Sequence, residues 1–210
     1  MRTEWIVFDF GGVICLPPPD HASEALARTV GVTPAEFWSA YWPDRAAYDA
    51  GTLGAAEFWS GLCTRLDRPV PDRDRLDLLV AGDLAAWMHL NQDTLDLLAE
   101  LAGLADRGVA LALLSNAPIE MARRIDEQPW ARVFRHRVFS ADLGLAKPDP
   151  RIYHHLCAQL DAQPSELLFI DDRPENLDAA RAVGIESLLF TDTPTLRADL
   201  DRTRATGSVR

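Results

Sequence analysis

At 210 residues, with 48% hydrophobic and 25% charged side chains, the chain is long enough for one domain with a sizeable insertion and too apolar for wholesale disorder. Its formal net charge of -11 argues against a broad nucleic-acid or anionic-membrane surface, which needs clustered Lys and Arg, but leaves room for a small anion held by a few charges or a metal. Cys15, Cys63 and Cys157 show no metal or redox spacing, no secretory leader is apparent, and no apolar run approaches the ~18 residues of a membrane span. The expectation is a cytoplasmic protein with reduced thiols.

The first stretch, Trp5 to Ile14, is strand-forming and apolar, delivers Asp9, and breaks at Gly11-Gly12. A carboxylate at the end of a buried strand is costly without a partner and often serves chemistry, although an Asp-containing turn fits the same letters. Pro17, Pro18 and Pro19 then form a stiff extended linker. From His21 to about Leu90 the spacing is helical and shows no strand. One helix runs from Ala22 to Val30. A second is opened by Thr33, Pro34 and Glu36 as a capping box and continues through Trp42. Others run from Ala55 to Leu66 and from Leu76 to Met88. Trp38, Trp42, Trp59 and Trp87 are expected in the core of this bundle, with one or two of them facing substrate as the alternative.

Beyond Asp93 strands and helices alternate. A helix through Leu95 and Leu104 to Gly108 precedes the apolar run Val109 to Leu114, which ends in Ser115-Asn116. Glu120 to Gln128 reads as a helix and Val133 to Ser140 contains a short strand. Lys147-Pro148-Asp149-Pro150 leads a helix through Leu160, and Leu167 to Ile170 is a strand ending in Asp171-Asp172. A helix from Glu175 to Val183, a strand from Ile185 to Phe190 and a helix from Thr193 complete the pattern, with Arg202 to Arg210 as a frayed tail.

Strands apolar on both faces, separated by helices, define an α/β fold with a doubly wound, Rossmann-like parallel sheet. Ligands of such sheets lie at the carboxyl ends of the strands, where Asp9, Ser115-Asn116 and Asp171-Asp172 all fall. Residues 16–90 are too many for one crossover and read as an inserted α-helical cap over a core of residues 1–15 and 91–210. Clustered carboxylates suit Mg²⁺, Ser115 and Asn116 offer groups for phosphate oxygens, and Lys147 adds a fixed positive charge. Around Asp9 as covalent nucleophile, this is apparatus for phosphoryl transfer.

The ordered motifs Phe8-Asp9-Phe10-Gly11-Gly12-Val13, Leu114-Ser115-Asn116, Lys147-Pro148-Asp149-Pro150 and Phe169-Ile170-Asp171-Asp172 resemble those of haloacid dehalogenase (HAD) superfamily hydrolases with a helical cap. The extensions Arg151-Ile152-Tyr153 and Arg173-Pro174-Glu175-Asn176-Leu177 are similar to those of the epoxide-hydrolase phosphatase domain and bacterial sugar-1-phosphatases. The resemblance implies Asp9 as nucleophile; Asp9, the Gly11 carbonyl and Asp172 around Mg²⁺; Ser115, Asn116 and Lys147 on the phosphoryl group; and Asp171 and Asn176 in support. It implies a phosphatase of a small phosphorylated metabolite such as a sugar phosphate; the charge and the lack of a long apolar run add the expectation of no nucleic-acid or membrane partner, and the choice between monomer and homodimer stays open. The departure is Gly11, where most phosphatases of this superfamily carry an Asp that serves as general acid and base. Asp20, His21, Asp44 and Tyr48 are candidate replacements. An impaired phosphate-binding regulatory protein and a haloacid dehalogenase-type hydrolase are the alternatives.

Overall fold

The computed structural model describes residues 3–103 and 109–205. Its centre is a five-stranded, all-parallel sheet in the order β3-β2-β1-β4-β5, built from β1 (Trp5–Phe8), β2 (Ala110–Ser115), β3 (His136–Phe139), β4 (Leu167–Asp171) and β5 (Glu186–Leu189). Alternation along the strands divides the core. Ile6, Phe8, Leu111, Leu113, Leu168 and Ile170 pack on one face, against a layer containing α6 (Gln92–Ala102), α7 (Ile119–Asp126) and α11 (Thr193–Ala205). Trp5, Val7, Ala112, Leu114, Leu167 and Phe169 pack on the other, against α9 (Pro150–Leu160) and α10 (Pro174–Ala182). The four residues of β1 are buried throughout, and each large apolar side chain so placed contributes about 1.5–3 kcal/mol.

Between Ile14 and Asn91 the chain leaves the sheet and forms α1 (Asp20–Val30), α2 (Pro34–Tyr41), α3 (Arg45–Asp49), α4 (Ala55–Arg65) and α5 (Arg73–Trp87). They enclose their own cluster of Leu26, Phe37, Tyr41, Phe58, Trp59 and Leu79. The Thr33–Glu36 capping box forms as expected, the Thr33 N–H donating to Glu36 Oε2 at 2.8 Å and the Glu36 N–H to Thr33 Oγ1 at 3.3 Å. The outgoing and returning linkers are bonded to each other: the Leu16 N–H donates to the His89 carbonyl at 2.7 Å and the Asn91 N–H to the Ile14 carbonyl at 2.8 Å.

Several expectations are corrected. Two short helices, α3 and α8 (Ser140–Leu143), are missing from the sequence reading because neither is long enough to show a period. Trp59 alone of the four tryptophans is fully buried; Trp38 and Trp87 are half-buried, and Trp42, at the C-cap of α2, is 53% exposed. The final helix continues through Ala205, so Arg202 to Ala205, expected in the tail, are helical, while the remainder of the expected tail lies outside the described residues. Leu104 and Gly108, expected at the end of α6, also lie outside them. No helix among the described residues is long and apolar enough to cross a membrane.

Candidate active site

The register of the sheet brings three strand ends level. Phe8 pairs with Leu113 on one side and Ile170 on the other, so the next residue of each strand is Asp9, Leu114 and Asp171. The Asp9 N–H donates to the Ile170 carbonyl at 2.9 Å, which holds the residue at the sheet although the strand has ended. Its side chain is nearly buried, and Oδ1 accepts the Phe10 N–H at 2.7 Å.

Lys147 meets it from a different loop. The ammonium lies 2.7 Å from Asp9 Oδ1 and 2.7 Å from Asp171 Oδ2, and its third direction is taken by the Leu114 carbonyl at 3.1 Å. All three donors of the ammonium are therefore committed. Burial alone would lower the Lys147 pKa, but Asp9 and Asp171 outweigh it and the net shift is upward. Asp171 is held in turn: Asn176 Nδ2 donates to both carboxylate oxygens at 3.0 Å, and the Arg173 N–H donates to Oδ1 at 2.8 Å. The Tyr153 hydroxyl, donating to the Asn176 carbonyl at 2.8 Å, fixes that residue from the α9 side. Asp171 thus orients Lys147, the supporting place the resemblance implies for it.

Asn116 has a different partner from the expected phosphoryl group. Its Nδ2 donates to the Lys147 carbonyl at 2.8 Å and its Oδ1 accepts the Lys147 N–H at 2.9 Å, a two-point clamp on the backbone that presents the lysine. Ser115 lies at the end of β2, buried beside this clamp. No signal in the sequence distinguishes a clamp from a ligand contact, because an amide at a strand end suits both.

Asp172 completes the acidic group. One oxygen each of Asp9, Asp171 and Asp172 lie within 4.8 Å of one another. Gly12 permits this approach: at φ +71 it is in the left-handed region, and a Cβ there would stand 2.2 Å from Asp172 Oδ2. Burial, and then the Asp171 carboxylate, push Asp172 upward; burial pushes Asp9 up to about 7 against the opposing pull of Lys147. Three carboxylates against one ammonium leave an acid excess that suits a hard cation with oxygen ligands, so these residues fit Mg²⁺. At Gly11 a Cβ would meet nothing within 4 Å, so the missing acid reflects no lack of room.

The helical insert reaches this crevice through α3 and the turn after it. The Tyr48 hydroxyl donates to Glu120 Oε2 at 3.0 Å, and Ser140 Oγ donates to the Asp49 carbonyl while accepting the Ala117 N–H at 2.9 Å. Gly51, at φ +70, lies so close to Ala141 that a Cβ would stand 2.7 Å from its carbonyl oxygen. Inside the insert, Arg45 Nε donates to Asp49 Oδ1 at 2.6 Å and its guanidinium lies over the rings of Tyr41, Tyr48 and Trp87. Tyr41 donates to Asp83 Oδ1 at 2.7 Å, Asp83 Oδ2 stands 3.7 Å from Arg45 Nη1, and that Nη1 is buried without a hydrogen bond. Arg45, Asp49 and Asp83 are not among the residues the sequence points to, because nothing local to them records that they pair. Of the replacement acids, Asp44 is paired with Arg65, Asp20 and His21 are exposed at the start of α1, and Tyr48 is pushed upward by burial and by Glu120.

A family model described as haloacid dehalogenase-like hydrolase matches residues 3–184. The chain belongs to the haloacid dehalogenase-like hydrolases. It is 36% identical over 189 residues, 89% of each chain, to a sesquiterpene phosphatase of Aspergillus oryzae. It is 29% identical over 115 residues to the bifunctional epoxide hydrolase 2 of Rattus norvegicus, covering 52% of this chain and 21% of that one. Among solved structures, a HAD family enzyme of Bacteroides thetaiotaomicron in complex with magnesium and inorganic phosphate superposes with a TM-score of 0.72 at 19% identity, covering 90% of this chain and 94% of the other. The α/β fold with an all-parallel sheet is that of the HAD hydrolases, and the protein is a hydrolase.

Proposed function

We propose that the protein is a magnesium-dependent phosphatase that hydrolyses a small phosphorylated metabolite through a phosphoryl ester on Asp9. The observation that carries this reading is the Lys147 ammonium bridging Asp9 and Asp171 at 2.7 Å each, with Asp172 in the same acidic group. The ammonium keeps the Asp9 carboxylate in line and meets the incoming phosphoryl charge, while burial excludes competing water. Asp9, the Gly11 carbonyl and Asp172 would hold the metal, which polarises a phosphoryl oxygen and offsets the carboxylate charge when bound. Ser115 and the Asn116 backbone would receive the phosphoryl oxygens at the end of β2, Asn116 also positioning Lys147 through its amide. Asp171 and Asn176 support that lysine. In this reading residues 16–90 act as the cap and residues 1–15 and 91–210 as the catalytic core. The three buried, unpaired cysteines are consistent with a reducing, cytoplasmic setting.

A phosphoric monoester is favoured over a halogenated acid because a dehalogenase has no use for Asp172 as a metal ligand beside Asp9. A purely phosphate-binding, non-catalytic role would need neither a nucleophile nor a lysine with every donor committed. For the organic part of the substrate, a sugar is one reading. The exposed Trp42, stacked on Trp38 at 5.8 Å and edge-on to Trp87 at 6.1 Å, supports a second, in which the phosphate carries an apolar group. The sesquiterpene named in one relative agrees with it.

The test is hydrolysis of p-nitrophenyl phosphate by purified protein with Mg²⁺, with and without chelator. The proposal expects turnover that the chelator stops, that added Mg²⁺ restores, and that Asp9→Asn abolishes. Halide release from a chloro acid with no phosphoester turnover would replace it with the dehalogenase reading. Binding of Mg²⁺ and phosphate without turnover would replace it with the regulatory one.

A further inference from the structure

Gly11 leaves the reaction without a proton donor on the first loop, and the structure assigns that role to Asp49 of the helical insert, as the general acid for the leaving group and the general base for water. The assignment rests on the phosphatase reading. Asp49 ends α3, at the point where the insert meets the loops of the sheet. Its carbonyl accepts from Ser140, just past β3, whose Oγ accepts the N–H of Ala117, just past β2. The charge of Arg173, two residues beyond the end of β4, acts on its carboxyl group. Arg45, bonded to Asp49 Oδ1 at 2.6 Å, acts in turn on the thiol of Cys15, which also feels Asp9. The backbone of Asp49 is therefore tied to the loops after β2 and β3, and the charge of Arg173, in the loop after β4, acts on its carboxyl group. Among the described residues Oδ2 carries no hydrogen bond, and the side chain keeps 17% of its surface, enough to meet a substrate oxygen.

The local charges suit proton transfer. Arg45 and Arg173 favour the carboxylate, Asp83 opposes it, and burial is the largest influence, raising the carboxyl group to about 6. An acid in that range changes protonation readily at neutral pH. In the first half-reaction Asp9 attacks phosphorus, the bond from phosphorus to the leaving oxygen breaks, and that oxygen takes its electron pair and the Asp49 proton to leave as an alcohol. In the second, a water oxygen attacks phosphorus, the Asp49 carboxylate takes the water's proton, and the bond to Asp9 breaks. Inorganic phosphate departs and both carboxyl groups return to their starting states.

The experiment compares p-nitrophenyl phosphate, whose leaving group departs unprotonated, with an alkyl phosphate, whose leaving group does not. Asp49→Asn is expected to lower kcat on the alkyl ester by ~10²–10⁴-fold and to change the aryl ester far less. The double variant Gly11→Asp/Asp49→Asn is expected to recover most of the alkyl activity, because the space at Gly11 is open. An equal loss on both esters, or none, overturns the assignment. Should Asp49→Asn lose its fold by circular dichroism, the wild-type rate across a series of leaving groups decides: a shallow dependence on leaving-group pKa supports an internal donor, and a steep one overturns it. Wild-type protein that hydrolyses neither ester overturns the phosphatase reading itself and the Asp49 assignment with it.

Discussion

Two buried ionic clusters lie on either side of the crevice, and they are built differently. Below, in the sheet, Lys147 has every donor matched at 2.7–3.1 Å, and the carboxylate it shares with Asn176 is bonded at both oxygens. Above, in the insert, Arg45 leaves Nη1 unbonded, stands 3.7 Å from Asp83, and leans on three aromatic rings. A fully satisfied network in a low-dielectric interior rigidifies and specifies one geometry; a partly satisfied one supplies less of that constraint. The lower cluster is thus suited to hold a nucleophile fixed, and the upper to adapt to whatever fills the crevice.

The sharpest way to break this contrast is a matched pair of variants. Lys147→Met leaves Asp9 and Asp171 facing each other without a cation, and is expected to cost about 3–5 kcal/mol of stability in urea unfolding. Phosphatase kcat/KM should fall by at least ~10²-fold as the charge facing the phosphoryl group is lost. Arg45→Met replaces an incompletely bonded cation by a side chain that suits its aromatic neighbours, and should cost less than half as much stability. Equal costs would erase the distinction.

The same contrast explains what could be read from the letters. Asp9, Asp171 and Asp172 were legible because continuous apolar strands such as Leu167 to Ile170 end in acids, and parallel sheets gather such ends at one edge. Lys147 was legible from its frame of prolines. Asn116 was legible as a site residue but not as a clamp on Lys147, since nothing local records which group a side-chain amide will meet. The upper cluster was illegible for a different reason. Arg45 and Asp49 sit on a five-residue helix with no period, and Asp83 looks like a surface charge until Tyr41 is seen bonded to it across 42 residues of chain. Local pattern carries the sheet; tertiary pairing carries the insert.

A smaller effect is expected at the exposed tryptophan of the insert. Trp42→Ala should raise KM for an apolar alkyl phosphate by ~5–10-fold, of the order of one exposed aromatic contact, and leave KM for a sugar phosphate unchanged. Equal changes for both would remove Trp42 from substrate choice. The smallest effect concerns pH. Burial raises Asp83 to about 6, against ~3.9 in an unfolded chain. The folded state therefore binds this proton more tightly, and the contribution to stability is full below pH ~4 and lost as pH rises through about 6. Asp83→Asn removes that dependence, so the difference in melting temperature between wild type and variant should shift against the wild type between pH 4 and pH 6. A difference independent of pH would mean that Asp83 is ionised in the folded protein throughout that range.

The measurement that bears most directly on the whole account is rapid acid quench of the protein during turnover of a phosphomonoester with Mg²⁺, followed by mass analysis of the peptide containing Asp9. The account predicts one added phosphoryl group on that peptide in wild type, lost on treatment with hydroxylamine and absent in Asp9→Asn. Turnover that persists in Asp9→Asn, or a phosphoryl group found on another residue, would contradict it.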